Sequence, residues 1–268
     1  MYEFKDGDLR KLQLKSLEIL IDFKEFCDKN GLTFFLCGGC CIGAIREGGF
    51  LKWDDDADIF MPREDYERLH EIWRDTEKYT LLRTDCDTYC AQYNTTFMDK
   101  TTTCLLDWQV GLSTPAGVAI DILPLDGCPT GFARKMQKLN AMLFCLFNYN
   151  APPANHGKML NLACRILLGI VPSRKLRYKI WRGCERRMSK YKISDCNKIT
   201  ELCSGTHYMQ LEYPKELFAS AVLKDFENVK MPVPVGYDEY LTMAFGDYMT
   251  PPPDDQKTGH HHIVDLKL

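Results

Sequence analysis

The stretch Trp53-Asp54-Asp55-Asp56-Ala57-Asp58-Ile59 puts four carboxylates into five positions and runs straight into an apolar strand, Ala57 to Met61. Along a strand successive side chains alternate faces, so Asp56 and Asp58 project to the same side. Two carboxylates held that close repel each other unless a cation lies between them. Hard divalent cations such as Mg²⁺ take oxygen ligands of this kind and keep positions open for phosphate oxygens. The competing reading is a solvated acidic turn. A turn, however, has no use for Asp58 set between Ala57 and Ile59-Phe60.

Upstream, a short apolar strand from Leu32 to Cys37 is broken by Gly38-Gly39, and a short helix through Ile42, Ala44 and Ile45 follows. Paired glycines let backbone approach closely and expose amides at a helix N-terminus, where phosphate binds. By itself such a pair reads equally as a turn, and its weight comes from the carboxylates that follow. Downstream, Asp121 sits inside the apolar run Val118-Ala119-Ile120-Asp121-Ile122-Leu123. A lone carboxylate in an apolar strand is costly unless something compensates it. A cation held by Asp56 and Asp58 would do so; an aspartate capping a nearby loop is the alternative.

Outward from these motifs the pattern alternates between helix and strand. Asp8 to Lys29 is amphipathic at helical spacing and stops at Asn30-Gly31. Pro62 to Asp75 reads as a helix with proline at its start. Thr80 to Leu106 reads as two or three short strands. Phe132 to Tyr191 is helical, broken at Ala151-Pro152-Pro153 and at Pro172. Ser204 to Val235 is mixed, Tyr237 to Phe245 is a short helix stopped by Gly246, and the tail from Pro251 reads as irregular.

The composition suits a soluble globular protein. Of 268 residues 45% are apolar and 26% charged, which excludes disorder, collagen and coiled coil as overall classes. The net charge of −3 gives no bulk attraction to nucleic acid, so an anionic partner needs a local basic patch. The N-terminus carries no signal-peptide pattern, and the 13 cysteines have no regular spacing. They read as reduced, buried thiols of a cytoplasmic protein. The longest apolar tract, Leu160 to Val171, is interrupted by Asn161 and Arg165 and is too short to span a bilayer.

A glycine pair, a D-x-D on the next strand and a third acid on a later strand resemble the nucleotidyltransferase fold. More narrowly, the chain resembles the LicD family of phosphocholine transferases, which is related to fukutin. The matching text is Gly38-Gly39-Cys40-Cys41-Ile42-Gly43-Ala44-Ile45-Arg46, Gly49-Phe50, Trp53 to Asp58, and Met61-Pro62-Arg63-Glu64-Asp65-Tyr66. It continues with Ile120 to Asp126, Tyr237-Asp238-Glu239-Tyr240-Leu241, and Phe245-Gly246-Asp247-Tyr248-Met249. The likeness covers roughly positions 10 to 262. Cys40, Glu47 and Lys52 stand where threonine, histidine and proline are usual.

The resemblance implies one LicD-like catalytic domain over residues 1–268. Its fold would be α/β (α+β), a mixed sheet flanked by helices, with a helical insertion at residues 129–192. It implies transfer of a phospho-alcohol, phosphocholine first, from CDP-choline or another CDP-alcohol to a hydroxyl of a cell-surface glycan, with release of CMP. The acceptor would be lipopolysaccharide or teichoic acid, free or in lipid-linked form. Asp56, Asp58 and Asp121 would bind Mg²⁺ (or Mn²⁺) and carry the catalysis, and Asp121 could also take the proton of the attacking hydroxyl. Gly38, Gly39, Arg46 and Trp53 would bind the donor. Asp54 and Asp55 would orient the loop. For a choline headgroup Trp53, Tyr93 and Trp108 are the aromatic candidates.

Cys37 and Cys40 have C-x-x-C spacing before a helix, so a thiol redox protein is the rival enzyme. Cys86 and Cys90 lack the second pair that a zinc site needs. His260-His261-His262 would either reach the donor phosphate or cap the fold. Arg174 to Lys192 holds nine basic residues against Glu185 alone. It reads either as a solvated face or as a patch for an anionic acceptor or for the inner face of the membrane. The latter leaves a non-enzyme alternative, an inactive glycan- or membrane-binding module.

Overall fold

The structure is a computed structural model, and it describes residues 5, 7–88, 90, 92–112, 114–149, 158–257, 259 and 261–268. Along the chain run α1 (Asp8–Asn30), β1 (Phe35–Leu36), α2 (Gly38–Arg46), β2 (Asp58–Pro62), α3 (Arg63–Ile72), β3 (Tyr79–Leu82), β4 (Thr95–Asp99), β5 (Thr103–Leu106) and β6 (Ala119–Cys128). Then come α4 (Gly131–Tyr149), α5 (Lys158–Ile170), α6 (Arg174–Met188), β7 (Lys198–Glu201), β8 (Tyr213–Pro214), β9 (Ala221–Phe226), β10 (Val229–Pro234), α7 (Tyr237–Phe245) and β11 (Ile263–Lys267). The fold is α+β with a mixed central sheet, as the sequence implies.

The sheet runs β1-β2-β6-β4-β3, and β7 and β8 extend it from the far half of β6. The ten residues of β6 make this possible. Its first half pairs with β4, its second half with β7, and β2 lies along it in parallel register. The helix α1 packs on β4 and β6, with Phe23 and Phe97 centroids 5.1 Å apart. It buries Leu12, Ile19, Leu20, Phe23 and Cys27 at helical spacing. Each such large apolar side chain contributes about 1.5–3 kcal/mol by leaving water. Gly31 ends the helix at φ 62°, a left-handed turn that favours glycine.

The helices α4, α5 and α6 pack around their own apolar cluster of Phe144, Phe147, Cys164, Leu168, Trp181 and Met188. Buried ion pairs fasten this unit to the sheet. Arg63, the first residue of α3, meets Asp126 of β6 with two bonds of 2.8 Å. Glu185 of α6 is buried and takes Arg83 and Arg182, with Arg63 at 3.8 Å.

Three local expectations differ. Of Leu32 to Cys37 only Phe35-Leu36 pairs as strand, against Phe60 and Ile59. The helix after Pro62 ends at Ile72, and Trp73 is already extended at ψ 140°. The tail is not irregular throughout: β11 pairs antiparallel with β5, and Ile263 and Leu266 are buried. A register shift between Ile263 and Asp265 breaks the alternation that would mark this strand in the sequence. The expected break at Ala151-Pro152-Pro153 lies outside the described residues, as does His260.

Candidate active site

Two strands deliver the acids that face one another. Asp58 is the first residue of β2, Asp121 is the third of β6, and parallel pairing sets them side by side. The Asp121 N–H donates to the Ala57 carbonyl at 2.9 Å, so the register is fixed at the acids themselves. On the other side of β6, Thr96 of β4 is paired with Asp121 and donates its hydroxyl to Oδ1 at 2.9 Å. Asp54, Asp55 and Asp56 precede β2 in a loop tied down from α1. The Gln13 amide donates to the carbonyls of Leu51 and Asp54, both at 2.9 Å. All five acids line one cavity of about 880 Å³.

The acids strain one another. Burial, then the charges of Asp56, Asp121 and Asp54, holds the Asp58 carboxyl well above the ordinary range. Burial also raises Asp121, against the bonds that it accepts from Thr96 and Asn94. Asp54 is pushed up to about 8, by burial first and then by Asp56 and Asp55, and its Oδ2 is buried with no hydrogen-bond partner among the described residues. Such a set of carboxylate oxygens fits a hard divalent cation, which would replace the protons these groups otherwise retain.

One basic group enters from the tail. The β5–β11 pairing, with Asp107 N–H on the His262 carbonyl at 2.9 Å, brings His261 to the acids. Its backbone N–H donates to Asp55 Oδ2 at 3.1 Å, and its Nδ1 lies 3.2 Å from Asp55 Oδ1 and 3.8 Å from Asp56 Oδ2. The Asp55 bond, with the charges of Asp56 and Asp121, raises the imidazole to about 9 against burial. The donor atoms of Asp55, Asp56 and His261 fall within 4.8 Å of one another. Asp56 thus leans toward Asp55 and His261, while Asp58 and Asp121 form the neighbouring pair.

Residues 31–127, from just before β1 to the second half of β6, match the family model described as LicD/FKTN/FKRP, nucleotidyltransferase domain. The chain is 32% identical over 257 residues to the lipopolysaccharide cholinephosphotransferase LicD of Haemophilus influenzae, covering 94% of this chain and 96% of that protein. The chain belongs to the LicD family. A shorter likeness, 32% over 62 residues and 23% of each chain, links it to the uncharacterized protein RP689 of Rickettsia prowazekii.

In this LicD-family chain the glycine pair has two local reasons. Gly38 adopts φ 50°, and its N–H donates to the Tyr240 hydroxyl at 3.1 Å. That amide is therefore already engaged. At Gly39 a β-carbon would lie 2.1 Å from Asp54 Oδ2, so the buried carboxyl occupies the space a side chain would need. Both glycines line the cavity, as do Arg46 and Trp53. Arg46 donates Nη1 to the Tyr248 carbonyl at 2.9 Å and Nε to Glu47 at 3.1 Å, while its buried Nη2 has no hydrogen-bond partner among the described residues. Trp53 already has two protein cations near its ring, the Arg46 guanidinium at 5.6 Å and Lys257 Nζ at 5.5 Å. Tyr93 and Trp108 also line the cavity, and Tyr93 lies 5.3 Å from Tyr149, another wall residue.

Burial decides against the thiol reading. Cys37 and Cys40 are both buried, and burial together with Asp58 and Asp54 pushes these thiols far above their ordinary range. A redox thiol needs the reverse, a positive environment that favours thiolate.

One wall residue escaped the sequence reading, and so did the partners of another. His261 belongs to the histidine run already singled out, but its contact with Asp55 depends on the β5–β11 pairing and is not legible in the sequence. Glu201 ends β7, is buried, lines the cavity and accepts the Tyr213 hydroxyl. Burial pushes it up to about 7. A weaker signal existed: Glu201 is an acid in a short β-branched stretch, Ile199-Thr200-Glu201-Leu202.

The basic stretch after Arg174 divides in two. Arg177 donates to the carbonyls of Val171 and Leu168, Arg182 pairs with Glu185, and Arg187 donates to Asn140 at 2.8 Å. These three hold the helical unit together. Lys175, Lys179 and Arg186 are exposed.

Proposed function

We propose that this chain is a metal-dependent transferase that moves phosphocholine from CDP-choline, or a related CDP-alcohol, to a hydroxyl of a cell-surface glycan. The observation that carries this reading is the pairing of Asp58 with Asp121 in a cavity that also holds Asp56 and Arg46. The Haemophilus influenzae relative is a lipopolysaccharide cholinephosphotransferase by name, which supports the choice of headgroup and acceptor.

In this reading Asp56, Asp58 and Asp121 hold Mg²⁺ or Mn²⁺. When bound, the ion neutralises diphosphate charge and steadies the departing CMP. The chain's own groups do the rest. The spare Nη2 of Arg46 meets a phosphate oxygen, a charge-assisted bond made without breaking an existing one. Gly38 and Gly39 keep the start of α2 low enough for a diphosphate to lie over it. The acceptor oxygen bonds to the phosphorus that carries choline, and the bond from that phosphorus to the oxygen of CMP breaks. Asp121, fixed by Thr96, receives the hydroxyl proton. Trp53, Tyr93 and Trp108 are the aromatic surfaces available to the choline and the cytosine. Tyr93 and Trp108 suit the quaternary ammonium better, because Trp53 already faces Arg46 and Lys257. The donor is a cytoplasmic class of metabolite, so the reaction belongs on the cytoplasmic side, at the inner face of the membrane where an acceptor is lipid-linked. CMP release from a panel of CDP-alcohols, with and without Mg²⁺, tests the reading.

A further inference from the structure

The helix α5 has two apolar sides, and only one is covered. Cys164 and Leu168 face inward against Phe144 and Trp181. At 100° per residue Met159, Leu162, Ile166 and Ile170 fall on the opposite side. They are 88%, 60%, 53% and 70% exposed. A four-residue aliphatic stripe along a 13-residue helix is more than scattered surface apolarity.

Charge indicates what covers it. The helices α4, α5 and α6 carry twelve Lys and Arg against Glu185, and Glu185 is buried in ion pairs. The whole chain is nevertheless −3, so the positive charge is segregated onto this unit. On α6, Lys175, Lys179 and Arg186 share the face opposite buried Trp181 and Cys184. A second copy of the chain would set two such positive surfaces against each other. An anionic bilayer takes both features at once, aliphatic side chains below the headgroups and ammonium groups among them. At 1.5 Å per residue α5 is about 20 Å long, short of a bilayer's hydrocarbon core, and so would lie in the plane of the surface. Among the described residues no helix is long and apolar enough to cross a membrane.

We infer that the α5 stripe, together with the exposed lysines of α6, is a peripheral docking surface for an anionic lipid bilayer. The inference rests on exposure and charge and not on the transfer reaction, and vesicle binding is read without any substrate.

Flotation of the full chain with phosphatidylcholine vesicles, with and without phosphatidylglycerol, tests it. The parent should float with the phosphatidylglycerol vesicles, and less so as salt rises. Ile166→Glu/Ile170→Glu should lower that binding at least tenfold while keeping the parent's circular dichroism and melting temperature. Lys175→Glu/Lys179→Glu, which leaves the stripe intact, should lower it to the level seen with phosphatidylcholine alone. Failure of the parent to float at low salt would overturn the inference, as would equal binding by Ile166→Glu/Ile170→Glu. So would a dimer in sedimentation equilibrium that this same variant dissolves, because the stripe would then be an interface between copies.

Discussion

Asp58 lies directly beside Asp121 across the parallel pairing of β2 and β6, although 63 positions separate them in the chain. Burial first, with the charge of Asp56 and, at Asp58, of Asp121, holds both carboxyls above their ordinary range. In the ion-free protein the folded state therefore keeps protons that the unfolded chain loses above about pH 4. This contribution to stability is full below that value and is lost as pH rises. Asp58→Asn should thus melt higher than the parent at pH 8 in chelator, and the difference should shrink toward pH 4. Mg²⁺ should raise the parent's melting temperature and leave the variant's unchanged. A variant that melts lower than the parent at pH 8 would remove the repulsion from the account.

The contact between Gly39 and Asp54 makes a separate prediction. A β-carbon at position 39 would sit 2.1 Å from a buried carboxylate oxygen in a loop already pinned by Gln13. Gly39→Ala should cost about 1–3 kcal/mol, the range for overpacking. Gly39→Ala/Asp54→Ala should recover most of that loss relative to Asp54→Ala alone. Strict additivity in this cycle would show that the two residues do not meet.

Glu201 offers a pH test away from the acid loop. Burial raises it from 4.5 to about 7, so the folded state again binds the proton more tightly. Its stabilising contribution is complete below about pH 4.5 and is lost as pH rises through about 7. The change amounts to about 3 kcal/mol across that window. Urea denaturation of Glu201→Gln should give a stability profile flatter than the parent's between these values. Parallel profiles would contradict the assignment.

Glu185 holds the helical unit to the sheet. Its removal takes the carboxylate from Arg182 and leaves Arg83 and Arg63 to share Glu67 and Asp126 in a buried network one negative charge short. Glu185→Gln should destabilise by about 3–5 kcal/mol in denaturant unfolding. A loss under about 1 kcal/mol would mark the network as solvent-screened.

What the sequence could show was whatever two or three neighbouring residues decide. Asn30-Gly31 and Gly246 mark helix ends, and both glycines have positive φ in the structure. Asp121 in its apolar run announced a compensated acid, and that strand pairs with β2. The acids, the glycine pair, Arg46 and Trp53 reach one cavity, and this follows from β2 and α2 starting at the same end of the sheet. Hidden features were those fixed by remote pairing. The contact of His261 with Asp55 depends on the bulged β5–β11 ladder. The engagement of the Gly38 amide depends on Tyr240, 202 positions away. The division of the α6 arginines into structural and exposed sets depends on which side of the helix meets α4 and α5.

The central claim is metal-dependent transfer from a CDP-alcohol at Asp56, Asp58 and Asp121. The direct measurement is CMP release from CDP-choline by the purified chain with a glycan acceptor and Mg²⁺, alongside Asp58→Asn and Asp121→Asn. The account predicts CMP release with the parent, none in chelator, and a loss of at least about a hundredfold in either variant, as for removal of a group acting in the transition state. Near-parental turnover in either variant, or release that chelator leaves untouched, would contradict it.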